Sequence, residues 1–398
     1  MPPRRPRTGK RWVLAMLAGC CAPAARGCGP ALRARWPAGS GRRLARGVQP
    51  RSWKRRKMKL AEFETVLLEI LRHNQRLAEA GAPVTSFLIP MAWGDPGLGK
   101  TTIVEAVAAT LGWQVIQADL ATRDPAELGG MPWVENGRAI RCRPDWLPDS
   151  GQGILFLDEL PQAGVANMNI GATLVREHRI GEHHLPRSWM VVCAGNFQHN
   201  RAGTSAMPSH LRNRLLHLTI EADANAWAQW ASRKGLDPML IAYNRFRAAE
   251  YHHRFCATSN AYPTPRSWEM GSQVLGLDLP EALRRECLDG TVGEAAGADF
   301  AGFRQVCQSL PDVQAIIADP TTAPIPSDAM TLYALMGALA YNARPGNFAA
   351  IIAYLDRLPE QEFAVAGVLD ATARDETLRL TTAYTRWAAA HGELLSAS

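Results

Sequence analysis

The sequence predicts an α/β protein, with a parallel sheet flanked by helices, followed by a helical lid and a C-terminal helical domain. Three observations carry this. Gly94, four further residues, then Gly99, Lys100 and Thr101 stand between an apolar run and a helical pattern. Residues 154–157 and Trp189–Gly195 are apolar runs of the kind that forms strands buried on both faces. From Asp223 onward the pattern is helical.

At 398 residues the chain has room for two or three domains, each with its own core. A hydrophobic content of 47% and a charged content of 20% describe a soluble globular protein. The net charge of +7 is unevenly spread. Residues 1–57 carry 13 Arg and 3 Lys and no acid, and the remainder holds 28 basic against 37 acidic residues, a net of −9. This segment of Arg, Ala, Gly and Pro has no sustained apolar period, which argues against a packed domain. Three readings are open for it. It is a basic arm for nucleic acid or an acidic surface, or a secretion signal ending at the lipoprotein-like Leu17, Ala18, Gly19 and Cys20, or, the preferred reading, a disordered or non-native extension, with the functional chain starting at Met58. Eight scattered cysteines without paired metal-ligand spacing suit reduced thiols in a cytoplasmic protein. No apolar run reaches membrane-spanning length.

In chain order, a helix is expected from Met58, with Phe63, Val66, Leu67, Ile70, Leu71 and Leu77 on one stripe. Residues 86–93 follow as a central strand. In the next loop Gly94, Gly97 and Gly99 permit a tight turn whose amides converge on phosphate oxygens, and Asp95, Pro96, Leu98 and Thr102 complete the cradle. Lys100 would reach the β and γ phosphates of ATP, Thr101 would hold Mg²⁺, and the helix running to Leu111 would point its positive end at the anion. A glycine-rich turn without nucleotide is the alternative. Residues 115–118 form a second strand ending at Asp119. Asn136 and Gly137 then make a two-residue hairpin turn within residues 131–142. Trp133 on its first arm is expected to pack against its own hairpin; the alternative is an aromatic that grips a chain in a ring's pore.

Asp158 and Glu159 emerge at the carboxyl end of the next buried strand, a costly position unless a cation and a water need them. Asp158 would bind Mg²⁺ through water or the Thr101 hydroxyl, and Glu159 would orient and deprotonate the attacking water. An acidic helix cap is the other reading. A helix over residues 166–177 leads to a hairpin turning at Gly181 and Glu182. His178, His183 and His184 are explained by a solvated hairpin rather than a metal, and the same judgement covers His252, His253 and Cys256. Strand Trp189–Gly195 ends in Asn196, whose neutral amide can bond both phosphate and water, or simply cap a turn. Residues 211–214 lead into the last strand over residues 215–220.

These pieces in this order resemble the AAA+ ATPases, and within them the MoxR-like branch. The stretch ATLVREHRIGEHHLPRSWMVVCAGN looks like that branch's helix, hairpin and sensor strand, and AGTSAMPSHLRNRLLHLTI is similar to its segment in which Gly203 and Thr204 precede an arginine finger. The resemblance covers about residues 86–275. It implies a P-loop NTPase AAA+ core, with Lys100 and Thr101 as the Walker A pair, Asp158 and Glu159 as Walker B and Asn196 as sensor 1. Arg214 is the best match for the finger, Arg212 the second, and the family's usual Phe after this arginine is replaced by Leu215. Arg266 resembles sensor 2, with a surface arginine as the alternative. Domains are accordingly expected at 58–221 for the nucleotide core, 222–310 for the lid and 311–398 for a C-terminal helical domain, with residues 320–326 as a linker or sharp turn. The resemblance further implies a cytoplasmic ATPase that hydrolyses ATP with Mg²⁺ as a ring of six subunits and remodels a partner protein, one carrying a von Willebrand factor A domain. A nucleic-acid-dependent motor and a nucleotide-gated scaffold are the competing functions.

Overall fold

Residues 154–157 and 190–194 have no exposed surface, and each run lies in a strand flanked on both sides by other strands. The computed structural model describes residues 56–197, 207–307 and 310–392, which belong to one compact unit. The expectations about the basic arm, the cysteines at 20, 21 and 28, and Gly203 with Thr204 fall outside the described residues, except for Arg56 and Lys57, as does the side chain of Cys307.

The chain opens with α1 (Leu60–Glu79), β1 (Ile89–Trp93), α2 (Lys100–Leu111), β2 (Gln114–Asp119) and α3 (Pro125–Gly129). A hairpin of β3 (Pro132–Glu135) and β4 (Arg138–Arg141) precedes β5 (Gly153–Asp158) and α4 (Val165–Glu177). The short pair β6 (Arg179–Ile180) and β7 (His183–His184) is followed by β8 (Trp189–Gly195), α5 (Ser209–Arg212) and β9 (Leu215–Thr219). The large sheet is wholly parallel, in the order β2-β5-β8-β1-β9. Because β1 lies between β8 and β9, strands that come late in the chain, its carboxyl end is a switch point where loops from separate connections face one crevice. The α1 stripe of Phe63, Leu67, Ile70 and Leu71 joins the same core as the sheet.

Three expectations are corrected here. The first strand begins at Ile89, because Val84–Ser86 forms a 3-10 turn and Asn74 of α1 bonds the Leu88 backbone on both its N–H and its C=O. Trp133 does not bury itself against its hairpin: it is 63% exposed, beside Val134 at 69%, since four-residue arms are too short to build a face that could cover an indole. His178 and His252 are not solvated. Each is 2% exposed, and burial pushes their imidazoles down to about 4 and about 3, so both are neutral residues of the interior. No group of three His, Cys, Asp or Glu able to hold a metal occurs among the described residues.

Helices complete the chain: α6 (Ala224–Lys234), α7 (Pro238–Phe246), α8 (Pro265–Leu275), α9 (Glu281–Val292) and α10 (Glu294–Cys307), then α11 (Val313–Ala318), α12 (Ala329–Asn342), α13 (Phe348–Leu355), α14 (Gln361–Arg374) and α15 (Thr382–Ala390). The first group packs around Tyr243, Trp268, Phe300 and Phe303, and the second around Leu339, Phe348, Tyr354 and Leu355. The two groups meet where α12 lies along α7 and α14 along α6. Across that contact Arg245 Nη2 bonds Asp370 Oδ1 at 2.5 Å, with both side chains 4% exposed, while Arg245 Nη1 donates to Asn225 at 2.8 Å. Burial pushes the Asp370 carboxyl upward, against the pull of Arg245. Removing one partner leaves the other buried and unpaired, so Asp370→Ala is expected to lower the unfolding free energy by about 3–5 kcal/mol. Urea titration reads this, and the double change Arg245→Met with Asp370→Leu should recover most of the loss. No helix among the described residues is long and apolar enough to cross a membrane.

Candidate functional site

The loop from Gly94 to Gly99 leaves β1 at the switch point and enters α2. Pro96 and Gly97 form its turn, and Leu98 folds inward to 2% exposure beneath Gly94. Gly97 has φ of 78° and Gly99 of 88°, values that side-chain-bearing residues rarely adopt. A Cβ on Gly97 would also lie 2.8 Å from Thr264 Oγ1, at the head of α8. Gly99 is the N-cap of α2 and brings no side chain to satisfy the first amides of that helix, so those N–H groups are left for a ligand.

Lys100 is 9% exposed, and its ammonium donates to Gly94 O, Asp95 O and Asn196 Oδ1, each at 2.9 Å. All three partners are neutral, and Lys100 makes no ion pair among the described residues. Burial depresses its pKa to about 8, against the opposing pull of Asp158 and Asp95. A buried cation hydrogen-bonded only to neutral oxygens suits an anion, and a phosphate at this place would raise the pKa again. Below about pH 8 the ammonium is charged with or without ligand, so nucleotide affinity is expected to be flat there. Above it, binding must take up a proton, and affinity should fall by up to about tenfold per pH unit. Calorimetry in two buffers of different ionisation enthalpy should show no proton uptake at pH 7 and uptake approaching one proton at pH 9, lost in Lys100→Arg.

The carboxyl ends of β5 and β8 supply the opposite wall. Thr101 Oγ1 donates to Asp158 Oδ2 at 3.3 Å, so two hard oxygen donors stand together, as Mg²⁺ requires. Gln117 of β2 donates to the same Oδ2 at 3.2 Å, and Glu159 N donates to Asp158 Oδ1 at 2.8 Å. Glu159 has φ of 50°, a left-handed conformation that costs of order 1–3 kcal/mol for a residue with a side chain and is met mainly at functional sites. Gln162 closes the arrangement. Oriented to satisfy its neighbours, its amide donates to Glu159 O at 3.0 Å and accepts from Asn196 Nδ2 at 2.9 Å. Gly195 permits this approach, since a Cβ there would lie 2.2 Å from Pro161 Cδ. The Asn196 amide is thus engaged at both ends, by Lys100 and by Gln162.

Arg266, on the first turn of α8, donates its backbone N–H to Gly97 O at 3.3 Å and is close enough for its charge to lower the Lys100 pKa. With Gly97, Thr102, Glu64, Trp230 and Glu269 it lines a cavity of about 270 Å³ between α1, α2, α6 and α8. Arg212 and Arg214 stand apart. Both are exposed, at the turn from α5 into β9, and neither forms an ion pair among the described residues.

Residues 90–212 match the model of the family described as "ATPase family associated with various cellular activities (AAA)". They form an AAA domain. No curated protein matches the chain in sequence. Among solved structures, the chain is similar to the RuvB Holliday junction branch migration motor of Thermotoga maritima, at 16% identity over 71% of this chain and 84% of that one, with a TM-score of 0.35. It is also similar to NtrX of Brucella abortus in complex with ADP, at 15% identity over 84% of this chain and 68% of that one, with a TM-score of 0.36.

In this AAA domain the structure brings together the loop residues, Lys100, Thr101, Asp158, Glu159, Asn196 and, from beyond it, Arg266; among the described residues no hydrogen bond or ion pair joins the Arg212 or Arg214 side chain to them. Sequence reasoning missed Gln117 and Gln162, and read His253 as solvated where its side chain is only 14% exposed. Gln117 could have been found as the lone polar residue between Ile116 and Ala118 of a strand that ends beside Asp158. His253 lies with Nε2 3.7 Å from Asp95 Oδ2, and no local pattern announces a contact spanning the lid and the loop.

Proposed function

We propose that this chain is a Mg²⁺-dependent ATPase of the MoxR-like branch, working as a ring of six subunits that remodels a partner protein, with a von Willebrand factor A domain protein as the expected partner. The observation that carries the proposal is the Lys100 ammonium, buried at the head of α2 with neutral partners only, facing Asp158 and Glu159 across the mouth of the sheet. The loop amides and Lys100 would hold the β and γ phosphates, and Thr101 and Asp158 would hold Mg²⁺. When bound, Mg²⁺ neutralises charge on the phosphate oxygens. Glu159 accepts the proton of the attacking water, and Asn196 orients that water once Lys100 turns from its amide to the phosphates. Arg266 reaches the nucleotide from the lid of the same protomer. Arg214, or Arg212 in its place, is offered to the neighbouring protomer's nucleotide, which is why a single copy lacks it.

Because a residue is supplied in trans, turnover per protomer should rise with protein concentration as rings assemble. The test combines that titration with addition of DNA, RNA or the partner trapped by Glu159→Gln protein. Stimulation by the trapped protein supports remodelling. Concentration-independent turnover, or strong stimulation by nucleic acid alone, would overturn it.

A further inference from the structure

Three rings at the carboxyl end of β1 play no part in the roles above. Trp93, immediately before Gly94, stacks on Phe197, immediately after Asn196, with centroids 6.3 Å apart and planes at 13°. It also lies against His217 of β9, at 5.9 Å and 28°. Trp93 Nε1 donates to His217 Nδ1 at 2.8 Å, and His217 Nε2 lies 2.8 Å from Arg212 O. An indole N–H can only donate, so Nδ1 is the accepting nitrogen and the proton sits on Nε2, where it is donated to the Arg212 carbonyl. The backbone fixes this geometry: β1 and β9 pair Met91 with His217 and Trp93 with Thr219, and Ile220 N donates to Trp93 O at 2.7 Å. Two hydrogen bonds therefore connect the residue ahead of the phosphate loop to the last residue of α5, while the stack connects it to the residue after Asn196.

We infer that His217 is a positioning residue that ties the presentation of Arg212 and Arg214 to the phosphate loop and Asn196 of the same protomer. The inference rests on the reading that one of these arginines serves a neighbouring nucleotide. The physical need is clear from α5, which has four residues and an N-cap, Pro208, without a side-chain bond. A helix that short is not stable by itself, so its arginines keep a fixed direction only if something outside the helix holds it. Of the bonds on α5 and its turn, the one from His217 runs to the nucleotide side of the sheet. A shift of the loop or of Asn196 is carried through the stacked rings and the two bonds to the arginine turn. One protomer's nucleotide site is thereby linked to the arginine it lends.

The test compares four full-length variants for ATP affinity and for turnover in assembled rings. His217→Phe keeps a ring and removes both bonds, while His217→Gln keeps one acceptor and one donor. Arg212→Ala and Arg214→Ala report whether an arginine is needed at all. His217→Phe should leave ATP affinity within about twofold and lower kcat about tenfold or more, and His217→Gln should restore most of it. Mixing decides the direction of action. His217→Phe protomers have an intact nucleotide site and a misdirected arginine, and Glu159→Gln protomers have the reverse. Mixed rings should therefore turn over faster than either parent alone. Normal kcat in His217→Phe, no rescue by Gln, or no recovery on mixing would overturn the inference while leaving the arginine reading intact. If neither arginine variant slows turnover, that reading fails and the inference falls with it.

Discussion

Glu159→Gln is expected to bind ATP with unchanged affinity and to lower turnover by about 10²–10⁴-fold, the range a positioned general base contributes. The substitution keeps the size and hydrogen-bonding reach of the side chain and removes only its ability to take a proton. It should also leave the fold intact, because the structural bonds at this position come from the backbone: Glu159 N to Asp158 and Glu159 O to Gln162. Equilibrium binding of a fluorescent ATP analogue and steady-state phosphate release measure the two quantities. A variant that hydrolysed ATP at the wild-type rate would remove Glu159 from the mechanism. The left-handed backbone here makes a further contrast available, since Glu159→Gly should relieve strain and lose turnover together, separating stability from chemistry.

Arg214→Ala is expected to lower turnover in assembled rings by about 10³–10⁵-fold, the range of arginines that stabilise charge on a transferring phosphoryl group, with ATP affinity little changed. Its exposure and lack of an ion pair among the described residues mean that removing it costs the isolated protomer almost nothing in stability. Thermal unfolding of the variant should accordingly match the parent. Arg212→Ala is the necessary comparison, because the two side chains leave the same short turn. If only Arg212→Ala stops turnover, the roles are exchanged; if neither does, hydrolysis needs no arginine from a neighbour and a ring is not required for it.

The parts of the site that are legible in the sequence are those whose chemistry is written in consecutive residues. Gly97, Gly99, Lys100 and Thr101 point to a phosphate-binding role because the backbone conformation and the functional groups come from one short segment. Asp158 and Glu159 are legible for a related reason: two acids directly after four apolar residues sit where a carboxylate is costly unless a cation or a reacting water uses it. Trp133 is misjudged from sequence because local composition cannot say whether a hairpin lies on a surface or projects from it. His178 is misjudged because a histidine between a helix and a hairpin has no pattern that reveals the Phe87 ring packed against it at 5.3 Å. The Arg245 and Asp370 pair joins positions 125 residues apart, and no periodicity in either helix marks it.

The sequence by itself determined the fold class and pointed to the glycine-rich loop and the acids that the structure brings opposite it, since each depends on spacing within one element or one turn, where covalent geometry sets which groups can meet. The tertiary structure decided the rest. It made the Asn196 amide a bridge between Lys100 and Gln162, brought His253 to Asp95, and joined Trp93 to the arginine turn through His217. Those contacts depend on how strands are ordered across the sheet and how the lid helices lie on the loop, and that order is fixed by burial of the whole core rather than by any stretch of residues read alone.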